Sequence, residues 1–382
     1  MQIDKDYIIN IRRELHSVPE IGFELPKTLA IIRRELDSIG IPYTEEYGKS
    51  CIVATLNEGV GSKTIALRAD TDALPIQEQT GLDYASTHPG KMHACGHDCH
   101  TAMLLGTAKA LKAMEKDINC CVKFVFQSAE EILGGAKSLC DDGLMDQIDI
   151  MVGCHITPTQ PAGRIRLNKA CMNASSRGFR IHLHGKACHA ASPQKGVDAI
   201  AMAVSVYNQI QLIRTRQVSA LEPVVIGVGE IHGGTVNNIV AEDCVMNCTL
   251  RTLNNKTGDF VYSRIQQVAA HVAEDMGGTA HVETYKYTPS LINDPQVADG
   301  VLNAARQIVG EELVDPNRPY EMGAEDFAYY TLHKPSTMFS LGVQPAGGMA
   351  APLHNGKMLI NEDALDIGPK IFIQFILDHM DK

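Results

Sequence analysis

No stretch of this 382-residue chain is apolar for long enough to span a bilayer, and Asp4, Lys5 and Asp6 stand where the apolar segment of a secretory leader would begin. The expected compartment is therefore the cytoplasm, with no membrane partner. Basic clusters are missing too: the formal net charge is -11, which argues against nucleic acid as a partner. No internal repeat, low-complexity tract or Ser/Gly linker interrupts the chain. Neither the two-Cys, two-His spacing of a zinc finger nor the His-Glu-x-x-His helix of common zinc proteases occurs. Cysteine is plentiful, with eleven residues, but they are scattered and often embedded in apolar runs, as at Cys120, Cys121 and Cys154. Reduced core thiols explain that pattern better than a disulfide framework.

The length favours two domains. Helical periodicity runs over Tyr7 to Glu14, which Pro19 brings to a stop, and over Thr28 to Ile39. Short β-branched runs follow at Cys51 to Leu56 and Thr64 to Leu67, the second leading into Arg68-Ala-Asp70-Thr-Asp72. A helix is expected over Thr101 to Met114, then strands over Cys121 to Phe126, ending in Gln127-Ser-Ala-Glu130-Glu131, and Ile148 to Gly153, ending in Cys154-His155. Strands alternating with helices indicate an α/β domain with a largely parallel sheet, whose sites form beyond the carboxyl ends of strands. Glu130, Glu131 and His155 fall there.

Near Ser176 the pattern changes. A strand over Phe179 to His184, a helix over Asp198 to Ile213, strands over Val224 to Ile231 and Asp243 to Thr252, a helix over Thr257 to Met276 and a strand over His281 to Tyr287 spell β-α-β-β-α-β. That is the split βαβ, ferredoxin-like order. Beyond Pro289 come a helix (Gln296 to Val309), a strand near Met338 to Leu341 and a last helix (Glu362 to His379). The expected organisation is a catalytic domain over 1–175 and 289–382, interrupted by an inserted α+β domain over 176–288.

The chemistry concentrates in Met92-His93-Ala94-Cys95-Gly96-His97-Asp98-Cys99-His100. A thiol, imidazoles and a carboxylate share one turn ahead of a helix, where a thiolate forms most readily. Cys95 and His97 are the first metal-ligand candidates, and the rest of the set must come from far along the chain. Adjacent carboxylates at a strand end point in different directions, so one of Glu130 and Glu131 can bind metal while the other faces water. His155 and the late His354 can close the set. Mixed Cys, His and Glu donors suit zinc, with manganese, cobalt or nickel as substitutes. Asp98 is a candidate to orient a ligand imidazole, His100 to cap the helix, Asp70 and Asp72 to support the site from behind, and Glu325 to orient ligands or cap a helix with Asp326.

These motifs, together with Arg12-Arg-Glu-Leu-His16, His189-Ala-Ala, Gly233-Gly-Thr, Thr249-Leu-Arg251-Thr, Met322-Gly-Ala-Glu325-Asp326-Phe and Leu353-His354, run in order along the whole chain. In this the sequence resembles the metallo-amidohydrolase branch of the aminoacylase and carboxypeptidase G superfamily, which holds hippurate hydrolases, N-acyl-amino-acid hydrolases and auxin-conjugate hydrolases. The resemblance implies a zinc-peptidase-like α/β catalytic domain with an inserted lid and dimerisation domain. It implies Cys95, His97, Glu131, His155 and His354 as ligands of divalent metal, two ions per subunit, and Glu130 as general base. His189 would polarise the scissile carbonyl, in many relatives from a partner subunit, and Asn238 would hold substrate or oxyanion. A homodimer through the lid is implied as well.

The implied reaction is metal-dependent hydrolysis of N-acyl amino acids to a carboxylic acid and a free amino acid. Alternatives on the same scaffold are a metallo-carboxypeptidase or dipeptidase and an N-acetyl-diaminopimelate deacetylase. A thiol hydrolase using Cys95 as nucleophile and a non-catalytic metal-binding module are the readings from other classes. Arg251 or Arg177 is the candidate receptor for a substrate carboxylate. The chain departs from the family at Gly185-Lys-Ala-Cys188-His189, where Gly-Lys-Gly-Gly-His is usual, at Gln194, where a second lid histidine is common, and at Ala241, where proline is usual.

Overall fold

The computed structural model describes residues 3–348 and 350–381, which divide into two compact units. The first takes the described residues up to Met172, then Ile292–Pro319 and those from Asp326 onward; the second is Asn173–Leu291 with Tyr320–Glu325. The short Tyr320–Glu325 segment belongs to the second unit because Ala174 donates its N–H to the carbonyls of Glu321 and Gly323, at 2.9 and 3.1 Å.

The first unit is built on an eight-stranded sheet in the order Tyr43–Thr44, Ile52–Leu56, Cys121–Gln127, Thr64–Asp70, Ile150–Thr157, Ser336–Gly342, Ile165–Arg166, Val314–Asp315. Its four central strands, Cys121–Gln127 through Ser336–Gly342, run parallel. Ile52–Leu56 and Ile165–Arg166 join them antiparallel on either side, so the sheet is mixed. Those central strands are buried on both faces, as near-continuous apolar runs require. Their carboxyl ends point one way and gather Asp70, Gln127 and the segments that follow.

The helix His97–Ala113 packs on this sheet and is covered in turn by the helices Lys5–Ser17, Pro26–Ile39 and Ile367–His379. Every residue from His97 to Ala108 is buried, so it is a core element rather than an amphipathic surface helix. The helix expected from Thr101 begins at His97. Periodicity is blind to its first turn because His97, Asp98, Cys99 and His100 are polar or small, yet all are buried for the sake of the site. The strand expected to stop at Gly153 runs from Ile150 to Thr157, which places His155 within the strand instead of beyond its end. Pairing with Ser336–Gly342, in which Ser340 opposes His155, carries the strand those extra residues.

In the second unit, four antiparallel strands lie in the order Val224–Gly233, Asp243–Thr252, Ser176–His184, Thr279–Thr288. With the helices Ala199–Arg216 and Asn255–Asp275 in the connections, this is the ferredoxin-like arrangement. Alternation puts Cys244, Met246, Cys248 and Leu250 under the helices, against Phe179, Ile181, Val206, Ile210, Val261 and Ile265. Asp198 and Asn254 cap the two helices through their side chains. All eleven cysteines are unpaired. No helix among the described residues is long and apolar enough to cross a membrane.

Candidate metal centre and its supports

The site begins with a backbone requirement. Gly96 caps the His97–Ala113 helix at φ 89°, and a Cβ there would lie 2.3 Å from Ile156 Cδ1. Only glycine lets the chain turn this tightly against the neighbouring strand. The turn sets Cys95 and His97 on either side of it, at the ends of the strands Thr64–Asp70 and Ile150–Thr157. His354, far along the chain, is tied to the same turn because its N–H donates to the carbonyl of Ala94 at 2.8 Å.

Donor atoms converge from these segments. Cys95 Sγ lies 3.4 Å from His155 Nε2, His97 Nε2 lies 3.8 Å from Glu131 Oε1 and 4.0 Å from Glu130 Oε2, and His354 Nε2 lies 3.5 Å from Glu131 Oε1. Three overlapping trios could each hold an ion: Cys95, His97 and His155; Cys95, Glu131 and His354; His97, Glu130 and Glu131. Shared members join all six into one cluster, so the structure brings together every ligand and base candidate of the first unit. His354 is the open edge, its side chain 54% exposed, while Glu131 is 9% exposed.

The supports explain the aim of each donor. Asp72 accepts the N–H groups of Glu130 and Glu131, at 3.0 and 3.3 Å, and fixes the turn that carries them. Its Oδ1 also lies 3.4 Å from His97 Nδ1, which directs His97 Nε2 toward the cluster. His155 donates from Nδ1 to the carbonyl of Ile156 at 2.6 Å, leaving Nε2 with its lone pair toward Cys95. His100 belongs to the support: its Nε2 accepts from the N–H of Ile156 at 2.9 Å and its Nδ1 donates to Asp70. With both nitrogens used, His100 is neither a ligand nor simply a helix cap.

Two buried networks lie behind, and sequence reasoning missed most of their members. Arg68 pairs with Asp70 at 2.8 Å and with Asp326 at 3.1 Å, and donates Nε to Gln127, which also accepts from Tyr330. Asp326 takes further N–H groups from the Gln127 side chain and from Ala136 in the first turn of the helix Gly135–Asp141, so it ties strand ends together and also caps that helix. A signal existed: Arg68 and Asp70 share one face of a strand otherwise apolar. The second network corrects the role expected for Asp98. Its carboxylate pairs with Arg12 at 2.8 Å and His16 at 2.7 Å, with His16 also reaching Glu78 at 3.2 Å; it orients no ligand imidazole.

The electrostatics fit a cation. Burial opposes charge on His97, but Asp70, Cys95 and Asp72 override it and raise its pKa well above the ordinary imidazole value. Burial, reinforced by His100 and His97, holds His155 well below that value, a neutral imidazole suited to ligation. Burial also pushes the Cys95 thiol well up, so Cys95 is no free thiolate nucleophile; a bound cation is what ionises such a thiol. Both nitrogens of His97 and Oε1 of Glu131 are buried without hydrogen-bond partners. Burying such groups unpaired is costly, and a divalent cation between His97 Nε2 and Glu131 Oε1 would satisfy those two. The donor set therefore fits a divalent metal.

The second unit carries the remaining candidates. His189 pairs with Ile239 in a two-residue ribbon, and Ala190 donates its N–H to the carbonyl of Asn238 at 2.9 Å, so His189 and Asn238 are neighbours. His189 Nδ1 accepts from the N–H of Ala191 at 3.0 Å, which leaves Nε2–H as an exposed donor. Arg251 is half-buried and points Nη1 at the carbonyl of Met322, 3.5 Å away; burial lowers its pKa. Arg177 is structural by contrast, bonded to Asp259 and stacked over Tyr262 and Tyr287.

Comparison with known proteins supplies the frame. The model of peptidase family M20/M25/M40 matches residues 66–378. N-acetyl-L-cysteine deacetylase of Bacillus subtilis is 36% identical over 335 residues, covering 88% of this chain and 80% of that protein. Thermostable carboxypeptidase 1 of Saccharolobus solfataricus is 33% identical, covering 95% and 93%. The crystal structure of the YxeP protein of Bacillus subtilis, described as a dinuclear metal binding peptidase from the M20 family, superimposes with a TM-score of 0.85 at 30% identity, covering 98% of each chain. Given a metal-competent cluster on a shared fold, the chain belongs to peptidase family M20/M25/M40 and is a metal-dependent hydrolase.

Proposed function

We propose that the protein hydrolyses the amide bond of N-acyl amino acids, releasing a carboxylic acid and a free amino acid. The observation that carries the proposal is the pair of adjacent carboxylates in the cluster: Glu131 approaches both His97 and His354, at 3.8 and 3.5 Å, while Glu130 approaches His97 at 4.0 Å. Cys95, His97, Glu131, His155 and His354 would hold divalent metal, two ions per subunit, with zinc or else manganese, cobalt or nickel. Bound there, such ions supply Lewis-acid polarisation of a carbonyl and acidify water toward a pKa of about 7. Glu130 takes the proton of the attacking water and returns it to the leaving amine. His189 donates from Nε2 to the carbonyl oxygen as it gains charge, a contribution of about 3 kcal/mol for a well-placed donor. Asn238 helps hold the substrate, and Arg251, a half-buried guanidinium, receives the substrate carboxylate.

A homodimer through the second unit is part of the proposal. Ile200, Val204 and Tyr207 line one face of the helix Ala199–Arg216 and are exposed, a stripe that a second copy would cover. Eleven unpaired thiols suit a reducing compartment, the cytoplasm. The test is release of free amino acid from a panel of N-acyl amino acids and dipeptides, with chelated and metal-restored protein side by side. Metal-restored release from the N-acyl compounds is expected. Consumption of dipeptides alone would replace the proposal with a metallo-carboxypeptidase or dipeptidase, the activity named for the Saccharolobus relative.

A further inference from the structure

The turn that bears Glu130 and Glu131 also bears an apolar side chain with no place in the chemistry above. Ala129 and Leu133 both adopt left-handed backbone, at φ 55° and 58°, which is costly for residues with a Cβ. Asp72 clamps the two N–H groups between them. Held in this way, the turn presents Ile132 outward, 48% exposed. Among the exposed large apolar side chains described in the first unit, it alone adjoins a candidate ligand in sequence.

Ile132 has one apolar companion. The Glu20–Glu24 segment is pinned next to Asp72, through the N–H of Ala73 donating to the carbonyl of Glu20 at 2.7 Å and a bridge between Ile21 and Ala73. Phe23 of that segment and Ile132 meet over Gly134, where a Cβ would lie 3.3 Å from Phe23 Cζ and 4.0 Å from Ile132 Cγ1. On the other side, a Cβ at Gly22 would lie 3.5 Å from Ile132 Cδ1. Two glycines thus make room for a phenyl ring and a branched aliphatic chain beside the turn that carries Glu130 and Glu131. Lys49 lies beside Phe23, its ammonium 5.0 Å from the centre of the ring and engaged with its π-face.

We propose that Phe23 and Ile132 form an apolar shelf that receives the acyl group of the substrate and sets a preference for medium-length or aromatic acyl chains over acetyl. The assignment rests on the N-acyl-amino-acid reading of the site. Each methylene laid on Ile132 leaves water. Acetyl is too short to profit from it.

The experiment uses metal-loaded protein and the variants Ile132→Ser, Phe23→Ala and Lys49→Gln. Hydrolysis of N-octanoyl-alanine and N-acetyl-alanine is compared, alongside calorimetric binding of octanoate and acetate, which needs no turnover. Because Ile132 is exposed, Ile132→Ser leaves the fold in place, and thermal unfolding verifies this for each variant. The expected result is a fall of about tenfold in the octanoyl-to-acetyl ratio of kcat/KM for Ile132→Ser and Phe23→Ala, with acetyl turnover unchanged and octanoate affinity weakened in parallel. An unchanged ratio together with unchanged octanoate binding in both variants overturns the shelf. So does a loss of octanoate and acetate affinity confined to Lys49→Gln, which would make this surface a receptor for charge. If neither N-acyl compound is cleaved but Ile132→Ser still erases a preference for octanoate over acetate, the shelf stands and the proposed reaction falls.

Discussion

His354 donates its backbone N–H to the carbonyl of Ala94 at 2.8 Å, so the last candidate ligand in sequence is stitched to the turn that carries the first. Its own φ of 61° marks the strain of that connection. The pairing makes the cluster a property of the folded backbone as much as of its side chains.

Replacing Glu130 by Gln keeps the size of the side chain and removes its basicity. Turnover is expected to fall by about 10²–10⁴-fold with metal content unchanged. Steady-state kinetics together with elemental analysis of the purified variant check both halves; undiminished turnover would take the base away from Glu130.

Arg68 stands between two buried carboxylates, Asp70 and Asp326. Its replacement by Met leaves both without their cation in a site that water does not reach, and a loss of about 3–5 kcal/mol in unfolding free energy is expected. Urea denaturation measures it. A loss below about 1 kcal/mol would show that the network is not what holds the strand ends together.

Gly96→Ala introduces a methyl group where Ile156 already sits, at a backbone angle that alanine rarely adopts. A destabilisation of about 1–3 kcal/mol is expected, with weaker metal affinity because Cys95 and His97 flank the distorted residue. Thermal unfolding and metal titration of the variant give the two numbers.

Acid sensitivity follows from Glu78. Burial works to raise its pKa, but His16, Thr80 and the N–H of Ser86 prevail and bring it to about 2, against an ordinary 4.5. As pH falls, the unfolded chain takes up the proton first. The stability this carboxylate provides is thus complete above about pH 4.5 and drains away between there and pH 2. Glu78→Gln should be less stable at neutral pH and should lose less across that window, which denaturation series at pH 7, 4 and 2.5 would reveal.

Much of the fold was legible because its elements obey simple periods. Asp243–Thr252 alternates fully buried residues with less buried ones along its whole length, and it appears in the structure with the limits the alternation suggests. What escaped notice was local conflict between period and chemistry. His97 to His100 do not look like the start of a core helix, since imidazole, carboxylate and thiol are poor material for an interior. They are buried because partners from elsewhere satisfy them: Asp70 for His100, Arg12 and His16 for Asp98. Those partners lie far away in sequence, and spacing carries no record of them. Arg12 and His16 could be seen as a motif but not as the anchors of Asp98. Glu130 and Glu131, by contrast, stand out in the sequence because they are adjacent and follow closely on the strand Cys121–Gln127.

The helix that begins with His97 is enclosed on all sides by the sheet and three other helices. Its packing and the aim of its first turn are therefore a single mechanical object. Leu104 and Ala108 are fully buried in the same helix that carries His97 at its start, so a substitution at either is expected to disturb the seating of His97 together with the core.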